Sequence, residues 1–181
     1  MSAPADRVVV RRAAATEADA RLLAALGARL FTGTFGAMND PDDLRLFLAQ
    51  TYSSELQLAE LRDANRATWI AEAGEAREPV GYAMTRRESK SPHVDARRPA
   101  ELQRIYADRS WHGHGVGKAL LDACIDQARA WGCDVLWLGV WERNPRGIAF
   151  YEKWGFRRVG AQRFLVGTDS QRDHVMALPL A

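Results

Sequence analysis

Apolar residues recur along this chain at helical spacing in some stretches and in extended runs in others, and their order lays out the elements. The β-branched run Val8-Val9-Val10, continued by Arg11 and Arg12, predicts a first strand. Thr16 stands where a helix N-cap is expected, with Glu17 and Asp19 placed to favour the helix dipole. An alanine- and leucine-rich helix over residues 18–30 follows, with Leu22, Leu23, Leu26 and Leu30 on one face. A second helix begins near Pro41 with Leu44, Phe47 and Leu48 at core spacing, and a third, less regular one covers residues 53–62. Residues 68–72 and 80–85 predict the strands of a hairpin whose turn contains Gly74. The polar stretch 87–100, with Pro92 and Pro99, predicts a loop, and residues 102–107 another strand. Residues 115–131 predict a strongly amphipathic helix burying Leu120, Leu121, Cys124, Ile125 and Ala128. The near-continuous apolar run 135–140 is the pattern of a strand covered on both faces. A short helix over 144–154 stops at Gly155, and strands over 156–164 and 174–180 follow.

Only the stretch 101–140 reads as a parallel strand–helix–strand crossover. The expected fold is therefore α/β, with a mixed, mainly antiparallel central sheet flanked by helices. A length of 181 residues fits one domain over 1–181, able to bury most of its apolar surface without a disulfide or metal staple. The formal net charge of +2, with no long basic run, argues against a nucleic-acid groove. Two cysteines, Cys124 and Cys133, in a chain of this size suggest reduced thiols, and Cys124 lies on an apolar helical stripe. No segment approaches the roughly 20 apolar residues of a membrane span, and the first ten residues lack a signal core. A cytoplasmic location with no membrane partner is the expectation.

Candidate chemistry concentrates in Trp111-His112-Gly113-His114-Gly115-Val116-Gly117-Lys118, at the start of the amphipathic helix. Alternating glycines let the backbone turn tightly and approach a ligand, and free amides at a helix start suit a pyrophosphate. A plain strand-to-helix turn would also use glycines. The spacing excludes a P-loop: only three residues separate Gly113 from Gly117, and Ala119 follows Lys118 where a magnesium-binding hydroxyl is needed. It also excludes a dinucleotide fingerprint, whose third glycine would fall on Lys118. His112 and His114 lack a Cys or carboxylate partner at ligand spacing, so no metal site is expected.

The loop resembles the acetyl-CoA signature of the GNAT acetyltransferase superfamily, (Q/R)-x-x-G-x-(G/A), with His112 in place of Gln or Arg and with Gly115 and Gly117 at the glycine positions. Downstream, Asn144-Pro145-Arg146-Gly147-Ile148-Ala149-Phe150-Tyr151, ending in Gly155-Phe156, is similar to the family's N-x-x-A-x-x-F-Y-x-x-x-G-F segment. The strings around residues 101–106, 138–142 and 164–167 are similar to those of bacterial spermidine/spermine acetyltransferases of the Pai type. The resemblance covers nearly the whole chain. It implies an N-acetyltransferase that moves an acetyl group from acetyl-CoA to a primary amine, with a polyamine as one acceptor, by direct transfer in a ternary complex. A protein or peptide amine, or a non-catalytic acetyl-CoA-binding module, are the alternatives.

By the same resemblance, backbone groups of Ile105, Tyr106 and Ala107 would pair with the pantetheine arm. His112, Gly113, His114, Gly115, Val116, Gly117 and Lys118 would cradle the phosphates, aided by Arg146 and Lys153, and Asn144 would bond the pantetheine amides. Tyr151 would protonate the leaving thiolate, since a phenol stays protonated at neutral pH. A protonated amine needs a base, for which Glu101 is the first candidate and Glu142 the second, Glu142 also as a substrate-binding residue. Either could instead be a solvated or ion-paired carboxylate. Phe31, Thr34 and Phe35 would form one wall of the acceptor site. Asp40, Asp42 and Asp43 offer negative charge nearby, or simply an acidic helix N-terminus. Homodimers are common in the family, and nothing in the sequence fixes the oligomeric state.

Overall fold

The computed structural model describes residues 8–180. Its backbone runs β1 (Val9–Arg12), α1 (Glu17–Phe35), α2 (Pro41–Thr51), α3 (Ser54–Arg62), β2 (Arg66–Ala73), β3 (Glu78–Arg87), β4 (Pro99–Ala107), α4 (Val116–Ala130), β5 (Val135–Trp141), α5 (Pro145–Lys153), β6 (Arg157–Val166) and β7 (Asp169–Pro179). Single-turn 3₁₀ helices follow α1 and β4. Helix starts are fixed by local chemistry. Thr16 accepts from the Asp19 amide and Ser53 from the Leu56 amide, while Asp40 accepts from Asp42 and Asp43 with Pro41 at the first helical position.

The seven strands form one sheet in the order β1-β2-β3-β4-β5-β7-β6. Every neighbouring pair is antiparallel except β4 and β5, which run parallel with α4 crossing between them. This is the mixed sheet expected from the sequence. One face is covered by α4 and α5. There Leu120, Leu121, Cys124 and Ala128 are fully buried against Ala83, Leu136, Leu138 and Met176. The other face carries α1, α2 and α3, with Leu23, Leu26, Leu30 and Phe31 packed on Ile70 and Tyr82. Gly27 lets α1 close on this face, because a Cβ there would meet the Tyr52 ring at 2.2 Å.

The parallel pairing is short and decides where a site can form. Only Pro99, Ala100 and Glu101 of β4 pair with β5, opposite Val135, Leu136 and Trp137. From Leu102 onward β4 keeps ladder partners only in β3, and from Leu138 onward β5 keeps them only in β7. The sheet therefore splits into two half-sheets that diverge. A bulge at Gln103 shifts the β3–β4 register, so Leu102 and Ile105, three residues apart, both join the α4-side core.

Strands β2, β3 and β4 run two to three residues past their expected ends, β4 taking in Pro99 and Ala100 of the expected loop, and α1 and β7 exceed expectation by more. Helix α1 continues past residue 30 to Phe35, because Phe31 and Phe35 find aromatic partners in Phe47, Tyr106 and Trp141. Strand β7 begins at Asp169 rather than His174. Its polar first half is held by a tight hairpin with β6, turning at Gly167 (φ +60°) and Thr168. Cys124 and Cys133 are both free and buried. Among the described residues no helix is long and apolar enough to cross a membrane.

Candidate active site

The divergence of β4 and β5 opens a cleft of about 450 Å³, within the size range of small-molecule sites. Its floor is the β4 segment from Leu102 to Ala107 on one side and Gly139, Val140 and Trp141 of β5 on the other. Ile105, Tyr106 and Ala107 thus offer strand backbone to the cleft with no neighbouring strand on that edge.

On the α4 side the cleft reaches the glycine loop. Gly113 (φ +86°) and Gly115 (φ +83°) hold left-handed backbone with nothing within 4 Å of an added Cβ, so conformation rather than crowding requires glycine there. Gly117 is different: a Cβ would press on the Phe150 ring at 3.3 Å, where α4 meets α5. Helix α4 has Gly115 as its N-cap residue and no side-chain cap. The amides of residues 113 and 115–118 find no acceptor among the described residues. Five orphan donors at the start of a 15-residue helix, open to a cleft, form an anion cradle.

His112 ties this loop to the end of β4: its Nε2 lies 3.2 Å from the Ala107 carbonyl, which can only accept, so Nε2 carries the hydrogen. Burial and then the nearby Arg146 hold its pKa below the usual imidazole value, so the ring is neutral at pH 7. His114 places Nδ1 3.2 Å from the His112 carbonyl and its ring edge-on to Trp111. It is not among the residues lining the cleft. Arg146 lines the cleft and has no ion-pair partner among the described residues. Lys118 also reaches the cleft, but its ammonium is paired with Asp122 and lies 4.5 Å from the Trp154 ring centroid. Lys153 sits over the same ring at 5.3 Å.

Helix α5 supplies the polar groups between cradle and split. Asn144 caps it, its Oδ1 accepting from the Gly147 amide at 3.0 Å, which leaves Nδ2 as a donor. Glycine at 147 leaves this cap undisturbed, since a Cβ there would stand 2.6 Å from that Nδ2. Tyr151 lines the cleft edge-on to Phe150 and Phe156, and its hydroxyl has no partner among the described residues. Burial, and then the neighbouring Cys124, push its pKa well up, so it is a proton donor.

The opposite mouth lies on the α1–α2 side and is aromatic. Phe31, Phe35 and Tyr106 are mutually in contact. Phe35 reaches Trp141 at 6.2 Å, and Phe47 links Phe31 to Phe164. Thr34, Asn39 and Gln171 complete the rim, bonded within the protein: Thr34 donates to the Leu30 carbonyl and Gln171 to Asn39. Beneath them lies Asp173, opposite Trp141 and Gln162 in the β5–β7–β6 register and only 6% exposed. Its carboxylate lies over Gly139, where a Cβ would be 3.0 Å from Oδ2. No hydrogen bond or ion pair to it exists among the described residues. Burial first, and then repulsion from Glu142, push its pKa up to about 6.

The sequence-expected residues divide accordingly. Phe31, Thr34, Phe35, Ile105, Tyr106, Ala107, His112, Gly113, Gly115, Val116, Gly117, Lys118, Asn144, Arg146, Tyr151 and Lys153 all line this one cleft. Glu101, the first candidate base, is not among the residues lining it. It lies in the closed end of the split where β4 still pairs with β5, and its carboxylate accepts from Ser89 Oγ at 2.6 Å beside Arg86. Glu142 also lies outside the lining and pairs with Arg172 at 3.6 Å. Of the acidic cluster, Asp40 caps α2, Asp42 pairs with Arg45, and Asp43 accepts from the amide and hydroxyl of Thr168. Asp173, Trp141, Phe164 and Gln171 escaped sequence reasoning. The alternation of Gln171, Asp173 and Val175 was the available signal.

The profile described as the acetyltransferase (GNAT) family matches residues 34–156. An uncharacterized N-acetyltransferase from the pepI 3′ region of Lactobacillus delbrueckii subsp. lactis is 30% identical over 162 residues, covering 89% of this chain and 92% of the relative. The PaiA N-acetyltransferase of Thermoplasma acidophilum, solved in complex with coenzyme A, shares the fold with a TM-score of 0.74 and 19% identity, over 96% of this chain and 99% of that one. YncA of Salmonella typhimurium, solved with acetyl-CoA, does so with a TM-score of 0.71 and 22% identity, over 97% and 95%.

Proposed function

The chain belongs to the GNAT family of acetyltransferases, and on that premise we propose that it transfers the acetyl group of acetyl-CoA to a primary amine of a small molecule, by direct attack in a ternary complex. The observation that carries this reading is the junction of the orphan-amide cradle at α4 with the unpaired edge of β4. The cradle suits the pyrophosphate, and Arg146 adds charge beside it. The free edge of residues 105–107 suits the pantetheine amides as an added strand, with Asn144 Nδ2 as a further donor. A backbone amide of the same edge would serve as donor to the thioester oxygen as charge develops.

In the reaction the amine nitrogen forms a bond to the acetyl carbon, and the carbon–sulfur bond breaks with its electron pair going to sulfur. An ammonium that becomes an amide sheds two protons. One is matched by the thiol of coenzyme A and the other goes to solvent. Tyr151 gives its proton to the departing thiolate as it takes one from the nitrogen, a relay that leaves the phenol neutral, the form its burial favours.

The test is acetyl-CoA-dependent thiol release by the purified protein, with spermidine, a lysine peptide, an aminoglycoside and simple monoamines as acceptors. Release with a small amine is the expected result. Tight acetyl-CoA binding without release on any amine would overturn the proposal in favour of a binding module, and release on the peptide alone would move the acceptor to protein. Tyr151→Phe is expected to lower kcat by about 10²-fold or more while changing acetyl-CoA affinity little, because the hydroxyl acts only as the bond breaks.

A further inference from the structure

We propose that the acceptor is a compact monoamine with a flat apolar body, seated in the aromatic mouth, with its ammonium held and deprotonated by Asp173. This deepens the acetyltransferase reading and rests on it.

Asp173 is 94% buried, taking its exposure of 6%, and it is aimed into the cleft with no partner. A buried carboxylate without a hydrogen bond is costly, and a cation arriving from the cleft removes that cost. Gly139 keeps room for this carboxylate: a Cβ there would stand 2.8 Å from Gln162 Nε2 and 3.0 Å from Asp173 Oδ2. The walls around it come from four elements, Phe35 of α1, Tyr106 of β4, Trp141 of β5 and Phe164 of β6, and such faces suit a flat apolar body and an adjacent cation.

The same mouth disfavours other amines. A polyamine needs a carboxylate for each further ammonium, yet Asp40, Asp42 and Asp43 are engaged elsewhere and absent from the lining. An amino acid needs a cation for its carboxylate, and Arg104, the cation of β4 in this lining, is spent on Glu60 with bonds of 2.7 and 3.0 Å. A peptide would bury backbone amides against Thr34, Asn39 and Gln171, whose own groups already satisfy one another or main chain.

Asp173 takes the first proton of the bound ammonium and passes it to solvent, leaving the lone pair that attacks the acetyl carbon. The groups facing it are Glu142 beyond β5, itself paired with Arg172, Tyr106 of β4 and Gln162 of β6, and none of these is cationic toward Asp173. Burial and Glu142 place its titration at about 6, so turnover rises with pH through that range as the carboxylate forms.

The experiment compares 2-phenylethylamine, spermidine, phenylalanine and a lysine peptide in the thiol-release assay, with wild type and Asp173→Asn. Wild type is expected to favour 2-phenylethylamine over each of the others by at least about tenfold in kcat/KM, one missing ion pair's worth. Asp173→Asn is expected to lose about 10²-fold or more in kcat/KM and the rising limb near pH 6, with acetyl-CoA affinity by calorimetry unchanged as proof of folding. Should the variant fail to fold, calorimetry of the wild-type–coenzyme A complex serves instead: 2-phenylethylamine is expected to bind tighter at pH 8 than at pH 5, while neutral 2-phenylethanol shows no such change. Preference for spermidine, phenylalanine or peptide, or an unaltered pH limb in Asp173→Asn, would overturn this assignment while acetyl transfer stands. No thiol release from any amine would overturn both.

Discussion

At Asp173 a carboxylate only 6% exposed lines the cleft beside aromatic side chains, with no hydrogen bond to it among the described residues. Its pKa of about 6 lies above the value near 3.9 of an unfolded chain, so the folded state binds this proton more tightly. The sign follows: the group costs nothing below about pH 4, and stability falls as pH rises from about 4 to about 6 and stays lost above that. Asp173→Asn should therefore stabilise the ligand-free protein at pH 8, by on the order of 2 kcal/mol, with the gain shrinking as pH approaches 4. Urea denaturation of both proteins at the two pH values measures it; equal stabilities at pH 8 would mean that the carboxylate is solvated. A site residue held at a cost to stability is the usual signature of function. Glu101 shows the converse, since a carboxylate satisfied by Ser89 and Arg86 is already occupied.

Among the elements, α4 was legible because each of its signals is local. Its buried stripe recurs at helical spacing, and the glycines before it can be counted. The loop's conformation gives a prediction at this scale. Gly115 holds φ +83° with open space around its Cβ position, so Gly115→Ala introduces strain without a clash. The strain costs about 1–2 kcal/mol, which should weaken acetyl-CoA binding by about 5- to 30-fold with the helix intact. Calorimetry and circular dichroism together would show this, and an unchanged affinity would remove the loop from the cradle. The first half of β7 was not legible. Asp169-Ser170-Gln171-Arg172-Asp173 has turn-like composition, and it is extended because β6 pairs along its whole length and β5 joins it at Asp173. With that half unread, Asp173 could not be seen as a member of the cleft.

For the molecule as a whole, function rests on one interruption in the sheet. Three residue pairs join β4 to β5, and beyond them no strand pairing links the two half-sheets among the described residues. A ligand that lies along the open edge of β4 therefore stabilises the native state by mass action, by about 2.7 kcal/mol at a hundred times its Kd. Coenzyme A should raise the melting temperature and slow amide exchange in residues 105–107 and 113–118, leaving β1 unaffected. Uniform protection, or none in these segments, would argue against this binding mode. The sequence by itself determined the order of elements, the parallel crossover, the glycine loop and the α5 tyrosine, because helical spacing, glycine freedom and motif spacing act over a few residues. Only the tertiary structure decided which carboxylate faces the cleft. That choice depends on where β4 leaves β5, on the bulge at Gln103 and on the hairpin that carries Asp173 opposite Trp141, and pairings so distant along the chain leave no local trace.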